Sequence, residues 1–314
     1  MGACFGTLFD IVERPTGRCP MTNAEARESH GAAADLELAH RLADHADAIS
    51  SRHFATGGIA WQTKSDGSPV TAVDREIEHA VRALINQTRT TDAFLGEEGG
   101  AQGHGRRRWV VDAIDGTASF LAGEPEWSTL IALEEGDAVS LGVVTAPACQ
   151  TRWWAARGSG AWSTRLPMDH TAVPTRLAVT TATDFHDAAI GIWPPPARLN
   201  APDRQRAANL AAHARITVPA LDWHRTSPPT TTVRKPSTGS GTCHGTLLVA
   251  TGKLDAFLLQ GVGAWDIAAL VPIVEEAGGV YSDLSDDRHG DTRTALFSTP
   301  ALHHQILDIA ARTT

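Results

Sequence analysis

The sequence predicts an α/β protein in which helices pack in layers on two sheets, and three observations carry that expectation. Apolar residues recur at helical spacing between Asp35 and Phe54, at Leu36, Leu38, Ala39, Leu42, Ala43, Ala46 and Ile49. A buried apolar strand in RRWVVDAIDGT stops at Gly116 in an acidic turn. Three strand candidates, STLIALEE, AVSLGVVTA and TRWWAAR, then follow across turn-like breaks, for which antiparallel pairing is the natural arrangement. At 314 residues, 42% of them hydrophobic, the chain can fill one large core or two smaller ones.

Taken in order, residues 1 to about 32 lack a sustained period and read as a loose tail, within which Met21 offers an alternative start. The helix from Asp35 is followed by the loop TKSDGSP and a second helix from Ala72 to Ile85. AFLGEEGG reads as a short strand ending in an acidic loop. After the three strands, the stretch from Thr183 to Ser240 is irregular. It holds Trp193-Pro194-Pro195-Pro196, Ser227-Pro228-Pro229 and one helix from Asp203 to His213. Order returns with a helix near Gly245 to Thr251, the strand LDAFLL, and a helix from Ala264 to Ala277 closed by Gly278-Gly279. A strand from Ala295 to Ser298 and a final helix complete the chain. The expected division is a larger α+β half, 33–147, and a smaller α/β half, 148–314.

The formal charge of −9 and pI near 5.8 argue against a broad nucleic-acid footprint, which needs a basic face to neutralise phosphates. Arg106-Arg107-Arg108 is a short basic run whose ordinary reading is a solvated loop. Cys4, Cys19, Cys149 and Cys243 form no C-x-x-C pair and suggest neither a zinc cluster nor a disulfide framework. No apolar run approaches the ~20 residues that span a bilayer. The expectation is a soluble cytoplasmic protein that acts on a small molecule, without nucleic-acid or membrane partners.

The most specific local feature is Asp112-Ala113-Ile114-Asp115-Gly116-Thr117, where two carboxylates leave the end of a buried strand together. Hard cations between such carboxylates let them stay ionised in a buried site. A helix starting at Thr117 would turn its free N–H groups to the same place and suit a phosphate. Taken alone, the hexapeptide also fits a capped Asp-Gly turn, Glu97-Glu98 a solvated loop, and Asp266 a helix N-cap. Their occurrence together strengthens the metal reading.

Three elements, Gly96-Glu97-Glu98, Asp112 to Thr117 and Trp265-Asp266-Ile267-Ala268-Ala269, resemble the signatures of the inositol monophosphatase superfamily in order and spacing. Lys64-Ser65-Asp66 and Thr71-Ala72-Val73-Asp74 agree upstream, and the likeness runs over roughly residues 35 to 310. Ala113 stands where that family usually has proline. LGEEGG, GHGRRRWVVDAIDGT, RWWAARGSGAW and DIAALVPIVEEAGG look most like its bacterial histidinol-phosphate phosphatase branch.

The resemblance implies a layered αβαβα sugar-phosphatase fold with the site in a cleft between the halves. It also implies a Mg²⁺-dependent phosphatase using two or three ions, a small-molecule phosphate ester as partner, and a homodimer as a common family assembly. Carried over by motif, Glu98, Asp112 and the carbonyl of Ile114 would hold one ion and Asp112, Asp115 and Asp266 a second, with a weaker third site near Glu98. Thr117, bonded to Asp74, would orient the attacking water together with Glu98, and the N–H groups of Gly116 and Thr117 would hold the phosphate. Lys64 would be a loop contact.

The substrate region departs from the branch. A glutamate commonly stands seven residues before the W-D-x-A-A aspartate; here it is Leu259, with Asp255 or Gln260 as substitutes if the loop register shifts. Ser240-Gly241-Thr242-Cys243-His244-Gly245 replaces a G-D-F-W-like segment and weakly resembles nucleotide-hydrolysing relatives. The expected substrate is therefore a nucleoside or sugar phosphate of a specialised biosynthetic pathway, with histidinol phosphate or an inositol monophosphate as the alternative and a non-catalytic metal-binding regulatory protein as the reading of another class. His244 is the candidate substrate contact, and Cys243 is a packed side chain.

Overall fold

The computed structural model describes residues 23–64, 68–168, 173–195, 198–213, 215–216, 242–287 and 293–312. Residues 1–22, the tip of the TKSDGSP loop, Ser227-Pro228-Pro229 and Ser240-Gly241 lie outside the described residues.

The chain opens with helix α1 (Asn23–Thr56), the hairpin β1 (Trp61–Thr63) and β2 (Pro69–Thr71), and helix α2 (Ala72–Thr88). Helix α1 therefore reaches back from Asp35 into the segment expected to be a loose tail. Its buried Leu38, Ala39, Leu42, Ala43 and Ala46 form the stripe read from the sequence. Helix α2 begins at a capping box: Thr71 Oγ1 accepts the N–H of Val73 and Asp74, while Asp74 Oδ2 accepts the N–H of Thr71.

Strands β3 (Ala93–Gly96), β4 (Gly100–Gln102) and β5 (Arg107–Asp115) come next, then the short helix α3 (Thr117–Ala122). They are followed by β6 (Ser128–Glu135), β7 (Ala138–Ala146), β8 (Thr151–Ala156), β9 (Ala161–Arg165) and β10 (Thr175–Arg176). These strands, without β1 and β2, form an eight-stranded sheet ordered β10-β9-β8-β7-β6-β5-β3-β4. It is antiparallel except where β3 and β5 run parallel. The sheet continues past residue 147 to Arg176, so the division expected there falls between neighbouring strands.

A second sheet of five strands contains β11 (Ala189–Trp193), β12 (Arg215–Ile216), β13 (Ala256–Gln260), β14 (Val280–Ser282) and β15 (Thr294–Ser298), in the order β12-β11-β13-β15-β14. Helices α4 (Ala201–Ala211), α5 (Thr242–Ala250), α6 (Ala264–Ile267), α7 (Leu270–Glu276) and α8 (Pro300–Ala310) surround it.

Five layers result, and side-chain alternation along the strands explains them. In β5, Trp109 and Val111 join the core with α1 and α2, whereas Val110 joins the core with α5 and α7. In β13, Phe257 and Leu259 face that same middle core, whereas Ala256 and Leu258 pack with Leu210 of α4 and Leu302 and Ile306 of α8. The αβαβα architecture is as the sequence implies.

One helix differs from expectation. The segment from Ala264 to Ala277 is two helices broken at Ala268 and Ala269. Pro272 has no N–H for the carbonyl of Ala268, and its ring crowds that carbonyl, so the first helix ends there. The break rests on β7 at Gly142, where a Cβ would overlap the Ala269 carbonyl.

Candidate active site

The two aspartates of the acidic turn face one site because of an irregularity in β5. Asp112 lies opposite Leu130 and Asp115 opposite Ser128, so three steps along β5 match two along β6. In a regular strand, residues three apart point to opposite faces; the extra residue of this bulge cancels that alternation. Thr129 Oγ1 donates to the displaced Ala113 carbonyl at 2.7 Å. Gly116 then turns the chain at φ +85°, a left-handed conformation that favours glycine, and α3 starts at Thr117.

The second half brings its ligand by α6. The carboxylate of Asp266 accepts the N–H of Gly263 at 2.6 Å, which fixes the first turn of the helix. The first residues of α5 reach the same place, where Cys243 N–H donates to Asp115 Oδ2 at 2.9 Å. Asp112, Asp115 and Asp266 each offer an oxygen, and these oxygens lie within 4.8 Å of one another.

The electrostatics of this trio is that of a site built for a cation. Asp112 is 1% exposed and its Oδ1 has no hydrogen-bond partner. Burial, then the charges of Glu97, Asp115, Asp266 and Asp74, push its carboxyl far above the usual range. Burial and the Asp115 charge push Asp266 up to about 8. Three convergent carboxylates with an orphaned buried oxygen fit a hard divalent cation, and oxygen ligands suit Mg²⁺ better than zinc. The Ile114 carbonyl lies between the two aspartates in the chain and accepts Thr117 Oγ1 at 3.0 Å.

Among the described residues the trio comprises Asp112, Asp115 and Asp266, and neither Glu97 nor Glu98 is part of it. Glu97 is the neighbour whose charge acts on both Asp112 and Asp266. Consecutive residues at a strand end point in different directions, which is why the motif alone did not choose between them. Lys64 ties both: its Nζ is 2.7 Å from Glu97 Oε1 and forms a closer ion pair with Glu98 Oε1. Burial alone would lower the Lys64 pKa, but these two carboxylates raise it. The loop lysine thus contributes positive charge to the edge of the acidic cluster.

Asp74 is 2% exposed, so it does not lie on a solvated helix face. Burial raises its carboxyl against the bonds from Thr71, whose Oγ1 donates to Oδ2 at 2.6 Å. The distance from Thr117 Oγ1 to Asp74 Oδ1 is 3.4 Å, longer than that to the Ile114 carbonyl.

His244 lies in α5 beside Asp115. It is 1% exposed, its Nε2 lies 3.3 Å from Ser128 Oγ, and burial lowers its pKa to about 4. The ring is close enough to Asp115 for that carboxylate's charge to act on it, against the larger effect of burial. Cys243 is also buried, with burial and Asp115 pushing its thiol up, so it is a packed, protonated side chain.

Leu259 is fully buried in the middle core. Asp255 accepts Thr180 Oγ1 at 2.5 Å and Ala189 N–H at 2.7 Å, so it serves the second sheet and does not replace a missing substrate carboxylate. Gln260 is 3% exposed with neither amide atom partnered. In the basic run, Arg107 pairs with Asp35, Asp92 and Glu135, and Arg108 pairs with Glu134. Among the described residues, no helix is long and apolar enough to cross a membrane.

Comparison with known proteins agrees with this geometry. The sequence profile of the Inositol monophosphatase family matches residues 32–312. A histidinol-phosphatase of Mycobacterium tuberculosis is 36% identical over 274 residues, covering 87% of this chain and 96% of that protein. A protein of Streptomyces griseus named glucose-1-phosphate thymidylyltransferase is 35% identical over 268 residues, covering 84% and 91%. A solved inositol monophosphatase from Zymomonas mobilis superposes with a TM-score of 0.71 at 27% identity, covering 88% of this chain and 98% of the other. The chain belongs to the inositol monophosphatase family and is a metal-dependent phosphoric monoester hydrolase.

Proposed function

We propose that this phosphatase uses Mg²⁺ to hydrolyse a nucleoside or sugar phosphate of a specialised biosynthetic pathway by attack of water on the phosphorus. The observation that carries the metal reading is the convergence of Asp112, Asp115 and Asp266 around the orphaned Asp112 oxygen. Asp112, Asp115, Asp266 and the Ile114 carbonyl form the proposed ligand set for two or three ions, with Glu97 in place of Glu98. When bound, divalent cations lower the pKa of a water and offset charge on the leaving oxygen.

The chain supplies the orientation. Thr117 and Asp74 orient the attacking water: Thr117 Oγ1 takes the water's proton while its own hydroxyl proton passes to the carboxylate of Asp74. The N–H groups of Gly116 and Thr117, at the start of α3, hold the phosphate. Lys64 would balance the charge of Glu97 and Glu98 at the edge of the site.

Leu259 supports the choice of substrate. A substrate carrying an ammonium group needs an acidic partner, and a fully buried leucine in the middle core gives it none. The S. griseus relative, named for an enzyme of glucose 1-phosphate, favours a sugar phosphate. A second reading, histidinol phosphate, is favoured by the M. tuberculosis relative.

Phosphate release from a panel of histidinol phosphate, inositol monophosphates, sugar phosphates and nucleoside monophosphates, with and without Mg²⁺, separates the readings. Asp112→Asn and Asp266→Asn are expected to lower kcat by at least about a hundredfold on every active substrate. Undiminished turnover in both variants would reject the ligand assignment, and a strong preference for histidinol phosphate would reject the reading of Leu259.

A further inference from the structure

Helix α2 carries a second carboxylate, one turn beyond Asp74, that the proposed reaction does not use. Glu78 is 3% exposed, and its i,i+4 spacing from Asp74 puts both on one helix face. Its Oε2 accepts the N–H of Glu98 at 2.9 Å, and its carboxylate also accepts the N–H of Gly99. The turn that presents Glu97 and Glu98 is therefore bonded through its backbone to α2.

The glycines around that turn are fitted to Glu78. A Cβ on Gly96 would overlap the Glu78 carboxyl carbon and both oxygens, and one on Gly99 would overlap Oε1. Gly99 does not adopt a positive φ, so the close approach of Glu78 is the steric reason against a side chain there. A buried carboxylate is stable only when its lone pairs are satisfied, and two charge-assisted backbone bonds do that here. The turn needs such an anchor, because Glu97 and Glu98 are adjacent like charges beside Asp112 and Asp74.

We propose that Glu78 is a positioning residue: it clamps the Gly96–Gly99 turn to α2 and so fixes where Glu97 presents its carboxylate to Asp112 and Asp266. This rests on the reading of those aspartates, with Glu97, as the metal site. Glu78 touches neither substrate nor cation; it acts through the backbone of the turn.

The test uses the full chain, with Mg²⁺ affinity measured by titration calorimetry and the Mg²⁺ dependence of p-nitrophenyl phosphate hydrolysis measured beside it. Glu78→Ala removes the clamp from the helix side. Gly99→Ala displaces the carboxylate from the turn side and leaves α2 intact. Both are expected to weaken Mg²⁺ binding about 10- to 100-fold, the usual cost of removing a group that orients a metal ligand, with kcat at saturating Mg²⁺ little changed. Glu78→Gln keeps one acceptor and should fall between. If Glu78→Ala does not fold, Gly99→Ala decides alone. Unchanged Mg²⁺ affinity in Gly99→Ala, with Asp112→Asn abolishing binding, overturns the clamp and leaves the metal site standing. Unchanged affinity in Asp112→Asn overturns the metal site itself.

Discussion

Two regions meet at the site and contribute in different ways. The end of β5 supplies Asp112 and Asp115 from a single hexapeptide, with a bulge that aims both at one point. The segment from β13 to α7 supplies one carboxylate, Asp266, and otherwise packs apolar surface: Leu259, Val262, Ala268, Ala269 and Leu270 are all buried in the middle core. The first region holds the chemistry, and the second places one ligand and shapes what stands beside it. On the proposed reading, the first region carries phosphate hydrolysis and the second bears on substrate choice.

The largest expected effect tests whether Leu259 is core or substrate wall. Leu259→Glu would put an unpaired carboxylate among Phe257, Ala295 and Trp193 and should cost about 3–5 kcal/mol in urea unfolding. Unchanged stability with new turnover of an amino-alcohol phosphate would move Leu259 to the substrate face and join the two regions' roles.

Next in size is the contact that seats one region on the other. Gly142→Ala drives a methyl into the Ala269 carbonyl, backbone against backbone, so the break between α6 and α7 must shift. We expect a loss of about 1–3 kcal/mol together with a higher Mg²⁺ requirement, since Asp266 stands one turn before the contact. A stability loss with an unchanged Mg²⁺ requirement would show that Asp266 is held by Gly263 alone.

The smallest effect is on pH dependence. Asp266 in the folded, metal-free chain is held up to about 8 against an ordinary value of 3.8, so the folded state binds the proton more tightly than the unfolded state. Its contribution to stability is therefore lost as pH rises from about 4 through 8. His40, His244 and His303, each lowered to about 4 mainly by burial, act oppositely, but only below 6.5. Between pH 6.5 and 8 the thermal midpoint of the EDTA-treated chain should fall, by the equivalent of up to about 1.4 kcal/mol per pH unit for one proton. Saturating Mg²⁺ should remove that slope. A flat profile in EDTA would mean that Asp266 is ionised without a cation.

Much of the fold was legible because it rests on local periodicity. The stripe of α1 and the apolar runs of β6 to β8, separated by turn-like breaks, each leave a pattern in consecutive residues. The single helix expected from Ala264 was wrong because an apolar helical spacing continues across Pro272, while the proline's effect falls one turn earlier, at Ala268. That the first sheet runs on past residue 147 was not legible either, since strand order in a sheet is not a local property.

In the site, the sequence located the acidic elements but not their aim. Glu97 and Glu98 are equivalent as letters, and the fold separates their charges: that of Glu97 acts on Asp112 and Asp266, that of Glu98 on Asp74. Glu78 had a signal, its four-residue spacing from Asp74, that has meaning only once α2 is known to lie under the acidic turn. Nothing in the sequence placed Ser128 beside His244.

By itself, then, the sequence determined most of the helices and strands and the residue types that can hold a hard cation, because both follow from spacing along the chain, while the order of the layers rested on the family resemblance. Tertiary structure decided which carboxylates converge, which histidine is sealed, and that Leu259 belongs to the core. Those depend on a bulge in β5, the close approach at Gly142 and the burial of α5, contacts between residues far apart in sequence whose energies no local pattern records.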